Sequence, residues 1–228
     1  MFLANREPGL VEEMDKENCN ILKLHHTYRQ FHYVNRLVSK WRMLYINEIR
    51  PILESQDESS LLDIGFGGGD ITRSIERWAR KDGHSIKITA VDPDERAFTY
   101  CQENYPNSET EWLQCTSTDL LADGLTYDIV ISNHVLHHLP DKEILKLLQE
   151  TEQLCRRKAI FNDIERSTIG YFLFSVFSRL FFRNSFITKD GLTSIRRSFK
   201  KQELKELIPQ TWKVKRAFPF RLFLTHEK

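Results

Sequence analysis

Three groups of residues have types and spacings suited to chemistry. The first is Asp63-x-Gly65-x-Gly67-x-Gly69, followed at once by Asp70. Glycines at alternate positions let a backbone turn tightly and approach a ligand with no Cβ in the way. Where such a run closes a strand and opens a helix, free N–H groups at the helix start suit an anionic part of that ligand. The second group is Asp92 with Pro93. Asp92 stands 23 positions after Gly69, at the end of the apolar run Ile86–Val91. An acidic residue at about that distance can accept both hydroxyls of a ribose. The third is His134-x-x-His137-His138, just after the apolar run Asp128–Ser132. With a reference pKa of about 6.5, a histidine can take a proton from a hydroxyl at neutral pH. His134 is the first candidate for a base and His137 the second.

The elements that would position these residues alternate. Short strands are expected at Leu61–Ile64, Ile86–Val91, Glu111–Cys115, Asp128–Ser132 and Lys158–Phe161. Amphipathic helices are expected at Asp70–Arg80, Glu95–Asn104 and from Asp141 to Leu154. That alternation implies βαβ crossovers and a mostly parallel sheet with helices on both faces. An open parallel sheet binds ligands beyond the carboxyl ends of its strands, which is where Gly65–Gly69 and Asp92 fall. Ahead of the sheet, Ile21 to about Leu53 reads as helical, and residues 1–19 read as an acidic, frayed start. After it come an aromatic segment (169–187), a helix at Phe199–Ile208 and an alternating piece, Val214–Thr225.

A dinucleotide-binding loop would need glycine where Asp70 stands, and a carboxylate there would oppose a pyrophosphate. The D-x-G-x-G-x-G run instead resembles motif I of the class I S-adenosylmethionine-dependent methyltransferases. The resemblance covers roughly residues 22–165, and Val135-Leu136-His137-His138-Leu139 is similar to the family's segment after the fourth strand. It implies a doubly wound, mostly parallel, seven-stranded α/β sheet of the Rossmann-like methyltransferase type. An N-terminal helical cover (1–57) would precede a methyltransferase domain (58–228) carrying a lid-like aromatic helical insertion at about 166–195. The implied cofactor is S-adenosyl-L-methionine. Asp63 would order the loop and face its ammonium, with Gly65, Gly67 and Gly69 beneath it. Asp92 and Pro93 would border the ribose, Asp119 or Thr116 the adenine amine, and the backbone near Asn133 the methionine part. Cys115-Thr116 stands where the family usually has Gly-Asp, which leaves the adenine contact open between Thr116 and Asp119.

The implied reaction is methyl transfer to a small aromatic or lipophilic acceptor, with oxygen favoured over carbon of a quinol or polyketide-like ring. Tyr28, His32, Asp163 and Phe172 are the candidate acceptor-binding residues, drawn from segments that could cover a pocket. No metal is expected, since histidines suit a transition ion but the hard oxygen ligands of a magnesium site are missing. An RNA or protein methyltransferase and a non-catalytic cofactor-binding homologue are the alternatives.

Composition bounds these readings. Residues 156–228 carry about +11 and the remainder about −10, although the whole chain of 228 residues has a net charge of only +1. A solvated basic face explains that split, and attraction to an anionic substrate or membrane surface would also suit it. The aromatic segment with its basic neighbours could meet a peripheral membrane surface holding a lipophilic substrate. Nucleic acid is not an expected partner. Cys19, Cys101, Cys115 and Cys155 are scattered, as in a reducing compartment, and no signal peptide is read at the start. A cytoplasmic location follows as the expectation. The most apolar stretch, Ile169–Phe182, is shorter than the roughly 20 residues a bilayer needs.

Overall fold

The computed structural model describes residues 3–228. Its centre is a seven-stranded sheet in the order β3-β2-β1-β4-β5-β7-β6. The strands are β1 (Glu58–Ile64), β2 (Ser85–Val91), β3 (Glu111–Leu113), β4 (Tyr127–Asn133), β5 (Cys155–Ile164), β6 (Lys213–Ala217) and β7 (Arg221–Glu227). The first five run parallel, and β6 and β7 form an antiparallel hairpin beside β5. The doubly wound reading from the sequence is therefore borne out. The closing hairpin explains why Val214–Thr225 alternates.

Neighbouring residues on the central strands face opposite layers, as the strand period of two requires. Leu62, Val130, Phe161 and Leu224 join one buried cluster, with Leu148 and Trp212 over them. Leu61, Ile131, Ile160 and Phe223 join the other, with Trp41, Tyr45 and Ile75 over them. Each such side chain, fully buried, contributes about 1.5–3 kcal/mol.

Ten α-helical segments accompany the sheet among the described residues. Ahead of β1 lie α1 (Ile21–Val38), α2 (Trp41–Leu44), a π-helical turn (Tyr45–Ile49) and α3 (Arg50–Leu53). The stretch read as helical is thus helical in pieces. Lys40 adopts a left-handed φ of 61°, and the Ser39 carbonyl accepts a 2.6 Å hydrogen bond from Asn162 Nδ2 on β5. That tie pins the break over the carboxyl end of the sheet. Next come α4 (Asp70–Lys81), α5 (Glu95–Asn104), α6 (Ser117–Ala122) and α7 (Asp141–Leu154), then α8 (Thr168–Phe181), α9 (Ile187–Arg197) and α10 (Lys201–Leu207). Helices α8 and α9 form the aromatic insertion after β5. No helix among the described residues is long and apolar enough to cross a membrane.

The frayed start is corrected by the structure. Residues 3–19 form an ordered strap against α9 and the turn after β4. Asp190 of α9 accepts the backbone N–H groups of Glu13 and Met14 at 2.8 and 3.0 Å. Glu7 pairs with Arg196 at 2.6 Å, and Glu13 with Lys189 at 2.5 Å. Arg166, whose side chain is fully buried, donates to the carbonyls of Leu3 and Ala4 and pairs with Glu203. The charge split between the chain's two parts is therefore partly settled inside the molecule.

Candidate functional site

The strand order reverses between β1 and β4, and the loops after these two strands meet at the carboxyl end of the sheet. Gly65, Gly67 and Gly69 all lie at positive φ, between 53° and 77°, so each needs the freedom of glycine. A Cβ on Gly65 would meet Val135 Cγ2 at 2.5 Å, and one on Gly69 would meet the Trp112 ring at 2.8 Å. A Cβ on Gly67 would meet nothing within 4 Å, so this glycine opens onto space rather than onto protein. Gly68 is needed for packing instead, because α1 lays Tyr28 directly on it.

Two carboxylates flank the loop. Asp92 Oδ2 accepts the Gly67 N–H at 2.9 Å and Oδ1 accepts the Asp94 N–H at 3.0 Å. Burial raises its pKa, against the pull of those two N–H donors. Asp63 accepts the Thr72 hydroxyl at 2.5 Å through Oδ2, while its buried Oδ1 has no donor. Burial lifts this carboxyl to about 7, opposed by the Thr72 hydroxyl and reinforced by Asp70 and Asp92. A buried carboxylate oxygen lacking a donor fits a cationic group arriving from the ligand. Asp70 is held by Asn35 Nδ2 at 3.0 Å, and burial lifts it to about 6. The open face at Gly67 and the orphaned oxygen of Asp63 both match a cofactor with an ammonium group and a ribose.

The other candidates from the sequence are spread around this loop. Pro93 is exposed beside Asp92. Thr116 and Asp119 cap α6 reciprocally, Asp119 Oδ2 accepting the Thr116 N–H at 2.8 Å and its hydroxyl at 2.7 Å. Both are near the β3 edge, and Asp119 is exposed with one oxygen outside the cap. Asn133 ends β4 and accepts the Trp41 indole N–H at 2.9 Å, which docks α2 onto the site. Tyr28 packs on Gly68 of the glycine loop and on Tyr100. His32 lies within the fields of Arg77 and Arg36, and burial with those cations lowers its pKa. Phe172 is 58% exposed on α8.

The histidine turn is built by long-range partners. His134 has a left-handed φ of 62° and receives a hydrogen bond at Nε2 from the Arg221 guanidinium at the start of β7. Burial, with Arg221 second, drives its pKa well below the ordinary value, so the ring is neutral. Arg221 is itself buried, which lowers its pKa to about 10, and it remains a cation. His137 is 1% exposed. Its Nδ1 lies 2.5 Å from Asp163 Oδ1, and Asp163 Oδ2 accepts its backbone N–H at 3.0 Å. Burial alone would depress His137, yet Asp163 and Glu12 pull it up to about 9. Burial would likewise raise Asp163, but His137 holds it far below the carboxylate range. His138 Nδ1 lies 3.0 Å from Asp15. The sequence reading brought His134, His137 and Asp163 into one region. It missed Glu12, Asp15 and Arg221, which sit at the two ends of the chain and follow no local pattern.

Comparisons with known proteins bear on the fold and on the central part of the chain. A family model described as a methyltransferase domain matches residues 61–158. Phosphoethanolamine N-methyltransferase 1 of Zea mays is 29% identical over 102 residues, 45% of this chain and 20% of the maize protein. The Triticum aestivum phosphoethanolamine N-methyltransferase is 28% identical over 102 residues, with the same coverage. The chain thus aligns with about one fifth of these relatives. Among solved structures, the plantazolicin methyltransferase BpumL with a triazolic desmethylPZN analog and SAH superposes with a TM-score of 0.62 at 13% identity. That match covers 91% of this chain and 98% of BpumL. Magnesium protoporphyrin IX methyltransferase of Synechocystis PCC 6803, with bound SAH, gives a TM-score of 0.51 at 14% identity, covering 90% and 96%. These structures share the fold.

Proposed function

We propose that this chain, whose residues 61–158 match a methyltransferase domain model and whose fold is shared with BpumL, transfers a methyl group from S-adenosyl-L-methionine to oxygen of a small aromatic or lipophilic acceptor. The observation that carries this reading is Asp92, whose carboxylate stands beside Gly67 where the loop opens onto free space. Bound there, the cofactor supplies a methyl group already activated as a sulfonium. The chain's task is to hold it, align an acceptor in line with the C–S bond and keep water out.

Asp63 meets the ammonium with its unpartnered oxygen, and Gly65, Gly67 and Gly69 offer backbone without side chains. Asp92 accepts the ribose hydroxyls, with Pro93 beside it. Asp119 or Thr116 contacts the adenine amine, and Asn133 borders the methionine part. Among the histidines, His134 has a neutral ring, and it can take a proton only once Arg221 turns away from its Nε2. His137, gripped by Asp163, positions the turn. Tyr28 and His32 on α1, and Phe172 on α8, belong to the two segments that cover the cleft. The exposed side of α8 carries Leu173, Val176, Phe177, Leu180 and Phe181 alongside Arg179, and Arg183 follows just after the helix. An apolar face with basic neighbours supports a lipophilic acceptor met at a membrane surface.

Transfer to an amine nitrogen is the second reading, favoured by the names of the maize and wheat relatives. The test is methyl-labelled S-adenosylmethionine incubated with the chain and separate pools of phenols and quinols, amines, RNA and protein. Label entering the phenol and quinol pool is expected. Label entering amines favours the second reading. Label entering only RNA or protein, or none of the pools, contradicts small-molecule methylation.

A further inference from the structure

We propose that Glu12, His137 and His138 form a binding site for one borderline divalent transition ion of the zinc type, which clasps the N-terminal strap to the turn after β4. Three ligand atoms converge there. His137 Nε2 lies 3.6 Å from Glu12 Oε1, and His138 Nε2 lies 3.7 Å from the same oxygen. All the ligand atoms fall within 4.8 Å of one another. Tetrahedral ligands about 2.1 Å from zinc sit roughly 3.4 Å apart. Glu12 Oε1 already lies within a few tenths of an ångström of that spacing from each imidazole nitrogen, and the two imidazoles draw together from within 4.8 Å.

The atom that points to a ligand is His137 Nε2, which is buried and has no hydrogen-bond partner, Glu12 Oε1 being 3.6 Å away; a bound cation would take the place of the proton it carries. Its ring cannot turn away, because Asp163 holds Nδ1 at 2.5 Å. His138 is held the same way, with Nδ1 on Asp15 at 3.0 Å and Nε2 facing Glu12. A carboxylate on the far nitrogen of each imidazole is the arrangement that orients metal-binding histidines. Ser194 donates to Glu12 Oε1 at 2.8 Å and fixes the third ligand.

Charge also favours a cation. Glu12, Asp15 and Asp163 place three carboxylates around the two rings. Arg197, 3.3 Å from Asp15 and 3.7 Å from Glu12, offsets one of them. Arg221 and Arg6 also act on Asp163, while Asp190 adds its charge to that of Glu12 and Asp15. Two imidazoles and one carboxylate, with the fourth position on the half-exposed side at His138, match the donor set of a zinc-type ion and not of magnesium. The sequence reading expected no metal because it weighed the histidine turn alone. Glu12 reaches that turn only through the fold.

The test is a titration of the chelator-stripped 228-residue chain with Zn2+ against a chromogenic indicator, followed by Co2+ absorption spectroscopy. One equivalent bound below ~1 µM and the visible bands of four-coordinate cobalt are expected. Glu12→Gln and His138→Ala should each weaken binding about 100-fold, and Asp163→Asn about 10- to 100-fold through its hold on His137. His84→Ala, away from the cluster, should leave it unchanged. Binding weaker than ~100 µM would overturn the proposal, as would binding that survives both ligand variants. Should a variant fail to fold, the wild-type cobalt spectrum decides alone: six-coordinate, weakly absorbing cobalt refutes the site.

Discussion

Replacing Asp92 by alanine perturbs the proposed cofactor site where its geometry is clearest. The carboxylate accepts the Gly67 N–H at 2.9 Å and the Asp94 N–H at 3.0 Å, and it still has lone pairs for two ribose hydroxyls. A hydrogen bond to a charged group contributes about 1.5–3 kcal/mol. Losing the two ribose bonds removes about 3–6 kcal/mol of binding, a fall of roughly 10²- to 10⁴-fold in affinity. Release of the Gly67 N–H adds to the loss by loosening the loop. An asparagine at this position would keep one carbonyl acceptor but turn an NH₂ towards one of the two backbone donors, so Asp92→Asn should fall between wild type and Asp92→Ala. Isothermal titration with S-adenosylhomocysteine reads all three, with far-UV circular dichroism to confirm that the variants fold. Binding by folded Asp92→Ala within threefold of wild type would refute the assignment of this residue.

Three other outcomes follow from the same geometry. Burial holds the Asp63 carboxyl up at about 7, so below that pH it carries a proton it must release to meet an ammonium. Affinity for S-adenosylhomocysteine should fall as pH drops from 8 to 6, steepening towards tenfold per unit, and Asp63→Asn should flatten the profile. A wild-type affinity that rises on acidification contradicts this. Gly65→Ala combines a left-handed φ with a 2.5 Å approach to Val135, whereas Gly67→Ala meets only the φ strain. That strain costs about 1–2 kcal/mol, or about 2–8 °C in Tm. Gly65→Ala should exceed that range and Gly67→Ala stay within it, while Gly67→Ala still weakens cofactor binding. Equal Tm values for the two would contradict the packing difference. Arg166→Ala strips the buried guanidinium from Glu203 and from the carbonyls of Leu3 and Ala4. It should cost about 3 kcal/mol, or about 6–12 °C in Tm, and release the strap to limited proteolysis. An unchanged Tm would show that the strap is not anchored there.

What the sequence made legible, and what it hid, divides by the range of the interactions involved. Strands β1, β2 and β4 and helices α4, α5 and α7 are set by local periodicity, and their observed bounds lie within a few residues of those expected. The glycine loop was readable for the same reason, since Asp63 to Gly69 is one contiguous turn. Helix α6 is a six-residue segment with little apolar pattern, signalled only by the Thr116-x-x-Asp119 cap. The break at Lys40 depends on Asn162 of β5, 123 positions from Ser39. The strap depends on α9, and acidic residues without periodicity look frayed until their basic partners are located. The histidine turn shows both sides. Its residue types were visible, but the state of each ring is set by Arg221, Asp163, Glu12 and Asp15, which only the fold brings near.

The central claim is that the space above Gly67, between Asp63 and Asp92, receives S-adenosylmethionine. The most direct test is calorimetric titration of the wild-type chain with S-adenosylhomocysteine, run in parallel with NAD⁺. One site with micromolar affinity for S-adenosylhomocysteine and no measurable heat from NAD⁺ is the expected result. No binding of S-adenosylhomocysteine at ~1 mM, or preferential binding of the dinucleotide, would contradict it.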